Sequence, residues 1–350
     1  MYGVLVMLGV ITVIFLLFNV LPGDPARMML GQRADSLSIA AINRDLGRDK
    51  PLSTQYFMYL NDLSPISWHK LSDESSAVYL DSAKYGHPWK INLGKDQALV
   101  FKPPYLRRSY QTKRKVTELI KETMPETFAL AFAAILIATV LGVGLGIIAA
   151  IRKNSLFDRS SFVLAIIGMS GPSFFVGLLL MLLFGYLLSD YTGLKVVGSL
   201  YMVDEYTGKE VMQLKNLILP AITLGLRPWA IVLQLTRSSL LEVLGQDYIR
   251  TAKAKGLSYY KVIFKHALKN ALNPVITSIS GWLAGLMAGA VLVENVFDWK
   301  GIGSVVVEAL NNYDLPVVMG STLVFATIFI VINVLVDIIY GILDPRVRIQ

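Results

Sequence analysis

The 350 residues are 54% hydrophobic and only 17% charged, against roughly 45–50% apolar in soluble proteins, and mean hydropathy is +0.54. That excludes global disorder, and the net charge of +8 sits in loops beside apolar runs, where it sets membrane orientation and meets anionic lipid rather than nucleic acid. Cysteine is absent and histidine is confined to His69, His87 and His266, outside the apolar runs, so neither thiol chemistry nor a buried histidine metal site is expected.

Crossing the hydrocarbon layer takes about 20 apolar residues, and six runs qualify. The first, 3–21, carries no charge. A cleaved signal is the competing reading, but the run exceeds the usual core of about 7–15 residues. No basic stretch precedes it and Leu21-Pro22-Gly23-Asp24-Pro25 is a poor cleavage site, so a retained span is expected over 1–23. Residues 24–122 form the one large polar region, with a helical pattern at 36–46, aromatics including Trp68, Trp89 and Phe101, short strand-like fragments around 98–101, and a helix over 116–123. The remaining spans are 127–151, 161–188 (interrupted by Ser170-Gly171-Pro172-Ser173), 217–235 (holding Pro220, Arg227 and Pro228), 271–293 and 317–343, making 123–343 a five-span block followed by a tail, 344–350.

Six crossings place both termini on one side. Arg152, Lys153 and Arg159, the basic residues from Arg237 to Lys269, and Arg346 with Arg348 share that side. The positive-inside rule makes it the cytoplasm. The basic cluster from Arg107 to Lys115 would then lie outside, in a loop longer than the ~60 residues to which the rule applies.

The longest polar insertion among the last five spans is the loop 238–270, and within it 247–274 reads as helix, turn, helix. Asp247, Arg250, Thr251, Ala252 and Lys255 belong to the first helix, Gly256 and Leu257 to the turn, and Ser258 caps a second helix running to Lys269. Tyr259, Ile263 and Ala267 recur at i, i+4 and i+8, with Val262 and His266 beside them, an apolar stripe suited to docking on another protein. No phosphate-cradling Gly-x4-Gly-Lys-Ser/Thr loop, metal-ligand spacing or nucleophile elbow occurs, so an ATP site, a resident cofactor and enzymatic activity are not expected in this chain.

Within the spans, Arg227 and Asp337 are charged and must face protein or water. Ser170, Ser173, Asn273, Ser278 and Ser280 are candidates for an aqueous path, although serine also bonds back to helix carbonyls. Gly142 with Gly146, and Gly281, Gly285 and Gly289, form ridges that suit close helix packing or a moving contact.

These stretches carry a resemblance. The hairpin resembles the cytoplasmic EAA loop of ABC importer permeases, in the form found in the dipeptide/oligopeptide/nickel permease family, B-type subunit. Leu21-Pro22-Gly23-Asp24-Pro25-Ala26, Asp49-Lys50-Pro51-Leu52, Leu235-Thr236-Arg237-Ser238-Ser239 and Asp344-Pro345-Arg346 agree in order, and only about 62–105 lies outside the resemblance. Arg250-Thr251-Ala252 replaces the general Glu-Ala-Ala, and Lys269 stands where many permeases have proline; both match the peptide-type loop. The resemblance implies an all-α integral membrane protein of the type I ABC importer permease fold, with six transmembrane helices and a large extracytoplasmic insertion between helices 1 and 2. It implies a C-type second permease, two ABC ATPases using ATP and Mg, and an extracytoplasmic substrate-binding protein as partners. A bacterial inner-membrane location and peptide cargo follow; nickel, glutathione-like peptides and oligosaccharides stay open, as does a stand-alone secondary transporter or channel.

Overall fold

In the computed structural model, residues 2–20, 49–73, 76, 78–204 and 207–343 are described. The expected helix at 36–46, the Leu21–Ala26 stretch and the Asp344–Arg348 tail lie outside them. The helices are α1 (Tyr2–Val20), α2 (Leu52–Leu63), α3 (Ser82–Tyr85), α4 (Val116–Ile151), α5 (Leu156–Ser170), α6 (Ser173–Leu187) and α7 (Ser189–Thr192). They continue with α8 (Ile218–Leu244), α9 (Asp247–Ala254), α10 (Tyr259–Ala271), α11 (Asn273–Phe297), α12 (Ile302–Asn311) and α13 (Leu315–Leu343). Strands β1 (Ile66–Lys70), β2 (Trp89–Asn92) and β3 (Gln97–Phe101) form one antiparallel sheet in the order β1-β3-β2. A two-stranded ribbon joins β4 (Tyr201–Val203) to β5 (Glu210–Met212). The chain divides into two compact units, Met1–Glu122 with Val305–Thr327 and Thr123–Ser304 with Ile328–Gln350.

In the first unit α2 packs on α1 through Phe15, whose ring lies 5.0 Å from Tyr56 and 5.8 Å from Tyr59. Alternation along the sheet buries Ser67, His69, Ala98 and Val100 and turns Ile66, Trp89 and Ile91 outward. The buried Lys102 ammonium donates to the carbonyls of Asn61 (3.0 Å) and Asp62 (2.6 Å), a cation closing the last turn of α2. Asp314, also buried, accepts from the Ser109 hydroxyl (2.5 Å) and the Tyr110 amide (3.1 Å), which fixes the loop ahead of α4.

This unit carries a pH dependence. His69 is fully buried with Nδ1 3.2 Å from the Val78 carbonyl, which can only accept, so Nδ1 holds the proton and Nε2 takes the Ser67 hydroxyl at 3.0 Å. Burial, and next the Lys102 charge, hold its pKa below the ordinary 6.5. Burial also pulls Lys102 from 10.5 down to about 8. In both cases the unfolded chain binds the proton more readily, so stability rises with pH through each window and falls as pH drops below 6.5. Hydrogen exchange on the full-length protein, corrected for intrinsic rates, is expected to show more opening of β1 and β3 at pH 5.5 than at pH 7.5; equal opening would contradict this account.

The second unit is built on α4, α8 and α11. A Cβ on Gly225 would lie 2.7 Å from the Ala134 carbonyl, and one on Gly146 would lie 2.8 Å from that of Leu233. A Cβ on Gly142 would lie 2.7 Å from the Val232 side chain and 3.0 Å from the Trp229 carbonyl. Both chains therefore advance together, from Ala134 to Gly146 and from Gly225 to Thr236, and α4 lies parallel to α8 with the backbones touching. Trp299, just past α11, donates its indole N–H to the Glu126 carbonyl near the start of α4 (3.0 Å), so α11 runs the opposite way. The expected packing ridge at Gly142 and Gly146 is thus occupied, whereas Gly281 and Gly285 meet nothing among the described residues; the side of Gly289 lies outside them.

Three helical stretches, Val116–Ile151, Leu214–Leu244 and Leu315–Ile338, are each long and apolar enough to cross a bilayer. Leu156–Ser170 with Ser173–Leu187, and Tyr259–Ala271 with Asn273–Ala288, qualify only as pairs bent by 111° and 50°. The interruption expected at Ser170–Ser173 is therefore a sharp bend, made where Gly171 and Pro172 turn extended. Helix α1 has 19 residues, about 28 Å.

Candidate coupling hairpin and membrane path

The 247–271 segment folds as a helical hairpin. Gly256 adopts φ +75°, a left-handed conformation that ends α9 and turns the chain, and the Ser258 hydroxyl accepts the Lys261 amide at 3.5 Å to start α10. Asp247 accepts from Arg250 Nη1 at 3.3 Å and its carbonyl takes the Thr251 hydroxyl at 3.0 Å, both on the exposed side of α9.

The expected docking stripe is corrected. Ile263 is 1% exposed, and Val262 and Ala267 are fully buried. With Ile249 and Ala252, Val262 and Ala267 pack against Leu240 at the end of α8 and Ile147 and Ala150 at the end of α4. Tyr259 lies 52% exposed, away from that stripe. Val262, Ile263 and Ala267 thus keep one buried face through a π-helical stretch, Val262–Ala267, while Tyr259, the first residue of α10, stands clear of it. The hairpin's free surface instead carries Tyr248, Tyr259, Tyr260 and Phe264, the last two with ring centroids 4.5 Å apart. Arg250, Lys253, Lys255, Lys261, Lys265 and Lys269 are exposed around them, while Leu257 and His266 are half-buried.

Two buried carboxylate clusters tie this block together, and the sequence alone identifies neither. Asp158, 3% exposed at the start of α5, accepts from Arg237 Nε (2.5 Å) and Nη2 (2.7 Å) near the end of α8, and also from the Asn154 amide (2.9 Å). This bidentate pair joins α5 to the turn of α8 that leads into the hairpin. At the other end, fully buried Glu294 accepts from the Thr127 hydroxyl (2.6 Å) and the amides of Gly303 (2.7 Å) and Ser304 (3.3 Å). Thr127 in turn accepts the Ile302 amide at 2.8 Å. A Cβ on Gly301 would overlap the Glu294 carboxylate, and one on Gly303 would sit 2.5 Å from the Val291 Cα, so glycine is required at both.

The proposed path residues are not gathered into one cluster. The Ser170 and Ser280 hydroxyls bond back to Ile166 (2.6 Å) and Ile276 (2.9 Å), the local role serine has in helices. Asn273 is exposed, and Ser173 and Ser278 half-buried. Arg227 is exposed and reaches the bend, donating from Nη2 to the Gly171 carbonyl at 3.3 Å. Asp337 is exposed on α13.

The family model described as the binding-protein-dependent transport system inner membrane component matches residues 142–349. The chain belongs to that family. A companion model for the N-terminal part of such membrane components matches 1–72. Among curated relatives of this permease family, the di/tripeptide transport system permease protein of Pseudomonas aeruginosa is 36% identical, with 98% of this chain and 95% of the relative covered. The dipeptide transport system permease protein of Haemophilus influenzae is 42% identical over 69% of this chain and 76% of its own length. A solved structure, inward-facing conformations of the MetNI methionine ABC transporter, aligns with a TM-score of 0.52 at 18% identity, covering 65% of this chain and 97% of that one, which establishes the fold. The binding-protein-dependent permease is therefore of the ABC importer type: a multi-pass inner-membrane subunit working in a complex with other components of the transporter.

Proposed function

We propose that the chain is half of the translocation path of an ATP-driven peptide importer, with di- and oligopeptides as cargo. The supporting observation is the hairpin, whose basic and aromatic outer surface is held rigidly on the ends of α4 and α8. In this reading it lies in a groove of a cytoplasmic ATPase, a helix-in-groove contact, with the exposed ring pair of Tyr260 and Phe264 as its anchor. Two ATPases use ATP and Mg, a C-type permease supplies the other half of the path, and an external binding protein delivers cargo. Peptide cargo follows from the names of the relatives, which match over nearly the whole chain.

The topology that goes with this has α1 and α13 as spans, the two bent pairs as one crossing each, and both termini in the cytoplasm. Parallel packing of α4 and α8 supports it, because the chain between them must return across the bilayer. Residues 24–122 are then extracytoplasmic, and 62–105, with its outward Trp89 and Ile91, is available to the delivering binding protein.

Uptake of a labelled dipeptide by the reconstituted five-component complex tests the reading. Gly256→Val forces a β-branched residue into φ +75° with no clash to relieve, since no atom lies within 4 Å of the added Cβ. It is expected to cut uptake about tenfold or more while membrane insertion is unchanged, the turn costing about 1–2 kcal/mol. Undiminished uptake would count against a coupling role, and ion-gradient-driven uptake by this chain alone would sink the importer reading.

A further inference from the structure

We propose that Arg227 is a carboxylate-binding site in the membrane, which takes the C-terminal carboxylate of the peptide as it passes; this rests on the peptide reading above. Arg227 is the tenth residue of α8, inside a stretch that is long and apolar enough to cross the bilayer. Its neighbours Leu224, Gly225, Pro228 and Ala230 are buried, whereas its own side chain is exposed. A guanidinium has five N–H donors and stays charged. Here a single contact is made, at 3.3 Å to the Gly171 carbonyl, and no acidic side chain pairs with it among the described residues.

A mid-span arginine facing hydrocarbon costs several kcal/mol, so this group faces water or a polar partner. Its place narrows the choice. The one contact holds the guanidinium against the 111° bend between Leu156–Ser170 and Ser173–Leu187, where the helix ladder is interrupted. Irregular backbone at membrane depth is tolerated where it is buried in protein or lines an aqueous cavity. An unspent, planar cationic fork beside such a break matches a carboxylate, which accepts two parallel N–H bonds. A free peptide carries one carboxylate at a fixed place whatever its side chains, so this contact serves many sequences alike.

The test uses the complete transporter in proteoliposomes with alanyl-alanine and its C-terminal amide as probes, comparing wild type with Arg227→Lys, Arg227→Met and Arg227→Glu. Uptake of the free acid is expected to fall in the order wild type, Lys, Met, Glu, with Met about tenfold below wild type for the loss of one charge-assisted pair. Uptake of the amide is expected to be the same in wild type and Met. ATP hydrolysis stimulated by the loaded binding protein is expected to persist in all four. Equal impairment of Lys, Met and Glu, or equal loss for acid and amide, would assign Arg227 to holding the Gly171 carbonyl and overturn the proposal. So would free-acid uptake unchanged in Met. If the wild-type complex imports neither probe nor any other dipeptide, the peptide reading fails first, and this assignment with it.

Discussion

Alanine at Glu294 is expected to be the most destructive single change in the membrane block. The carboxylate is fully buried and satisfies three donors, from Thr127, Gly303 and Ser304. Alanine removes both acceptor oxygens, and with them all three hydrogen bonds, and leaves a hole that Gly301 and Gly303 cannot fill. Each buried donor left unsatisfied costs about 1–3 kcal/mol, and these bonds tie α4 and the start of α12 to the end of α11. The variant is expected to show a clear drop in thermal midpoint in detergent and reduced accumulation in the membrane. Glutamine, which keeps one acceptor but presents an N–H₂ to other donors, should fall between. A midpoint equal to that of the parent in the alanine variant would mean that the cluster is not structural.

Removing both rings of the hairpin's outer pair, Tyr260→Ala with Phe264→Ala, should instead spare the fold and abolish coupling. These rings are 69% and 43% exposed, so their loss opens no cavity in the chain. Buried aromatic anchors at interfaces are worth about 2 kcal/mol or more each, so the pair together should weaken ATPase binding by nearly a thousandfold. The ATPases are expected to be lost on purification and uptake to disappear, with the thermal midpoint of the isolated permease unchanged. Val262→Ala is the contrast: fully buried among Ile249, Ala252 and Leu240, it should lower the midpoint. Retained ATPases in the double variant would move the docking surface elsewhere.

Much of this architecture is local information. Apolar runs announce the long helices because about 20 residues must be free of charge, and Gly256 and Ser258 mark the hairpin turn because backbone sign and cap chemistry are written in single residues. The break at Gly171-Pro172 is visible for the same reason. What escapes is whatever depends on distance or on a change of helical pitch. Thr127 and Glu294 meet across 167 positions, and Asp158 and Arg237 across 79; nothing near either member identifies its partner. The π-helical stretch is subtler. An i, i+4 reading puts Tyr259, Ile263 and Ala267 on one face, and the last two with Val262 do share it, but the pattern cannot say that this face turns inward onto the chain itself while Tyr259 stays outside. Strands of four or five residues, such as β2 and β3, are stabilised by cross-strand partners and carry too little pattern of their own.

The backbone contact between α4 and α8 has a mechanical consequence. Where side chains interdigitate, helices can slide by exchanging rotamers; where a glycine lies against a carbonyl, no such slack exists. From Gly225–Ala134 to Gly146–Leu233 the two helices therefore form one stiff strut. Helix α8 has 27 residues, about 40 Å, so a tilt of about 10° carries one end roughly 7 Å past the other. Deformation is then confined to the places where the helical rods are interrupted, the 111° elbow at Gly171-Pro172 and the 50° corner ahead of Asn273. One elbow carries the Gly171 carbonyl that Arg227 contacts, and the other adjoins the hairpin.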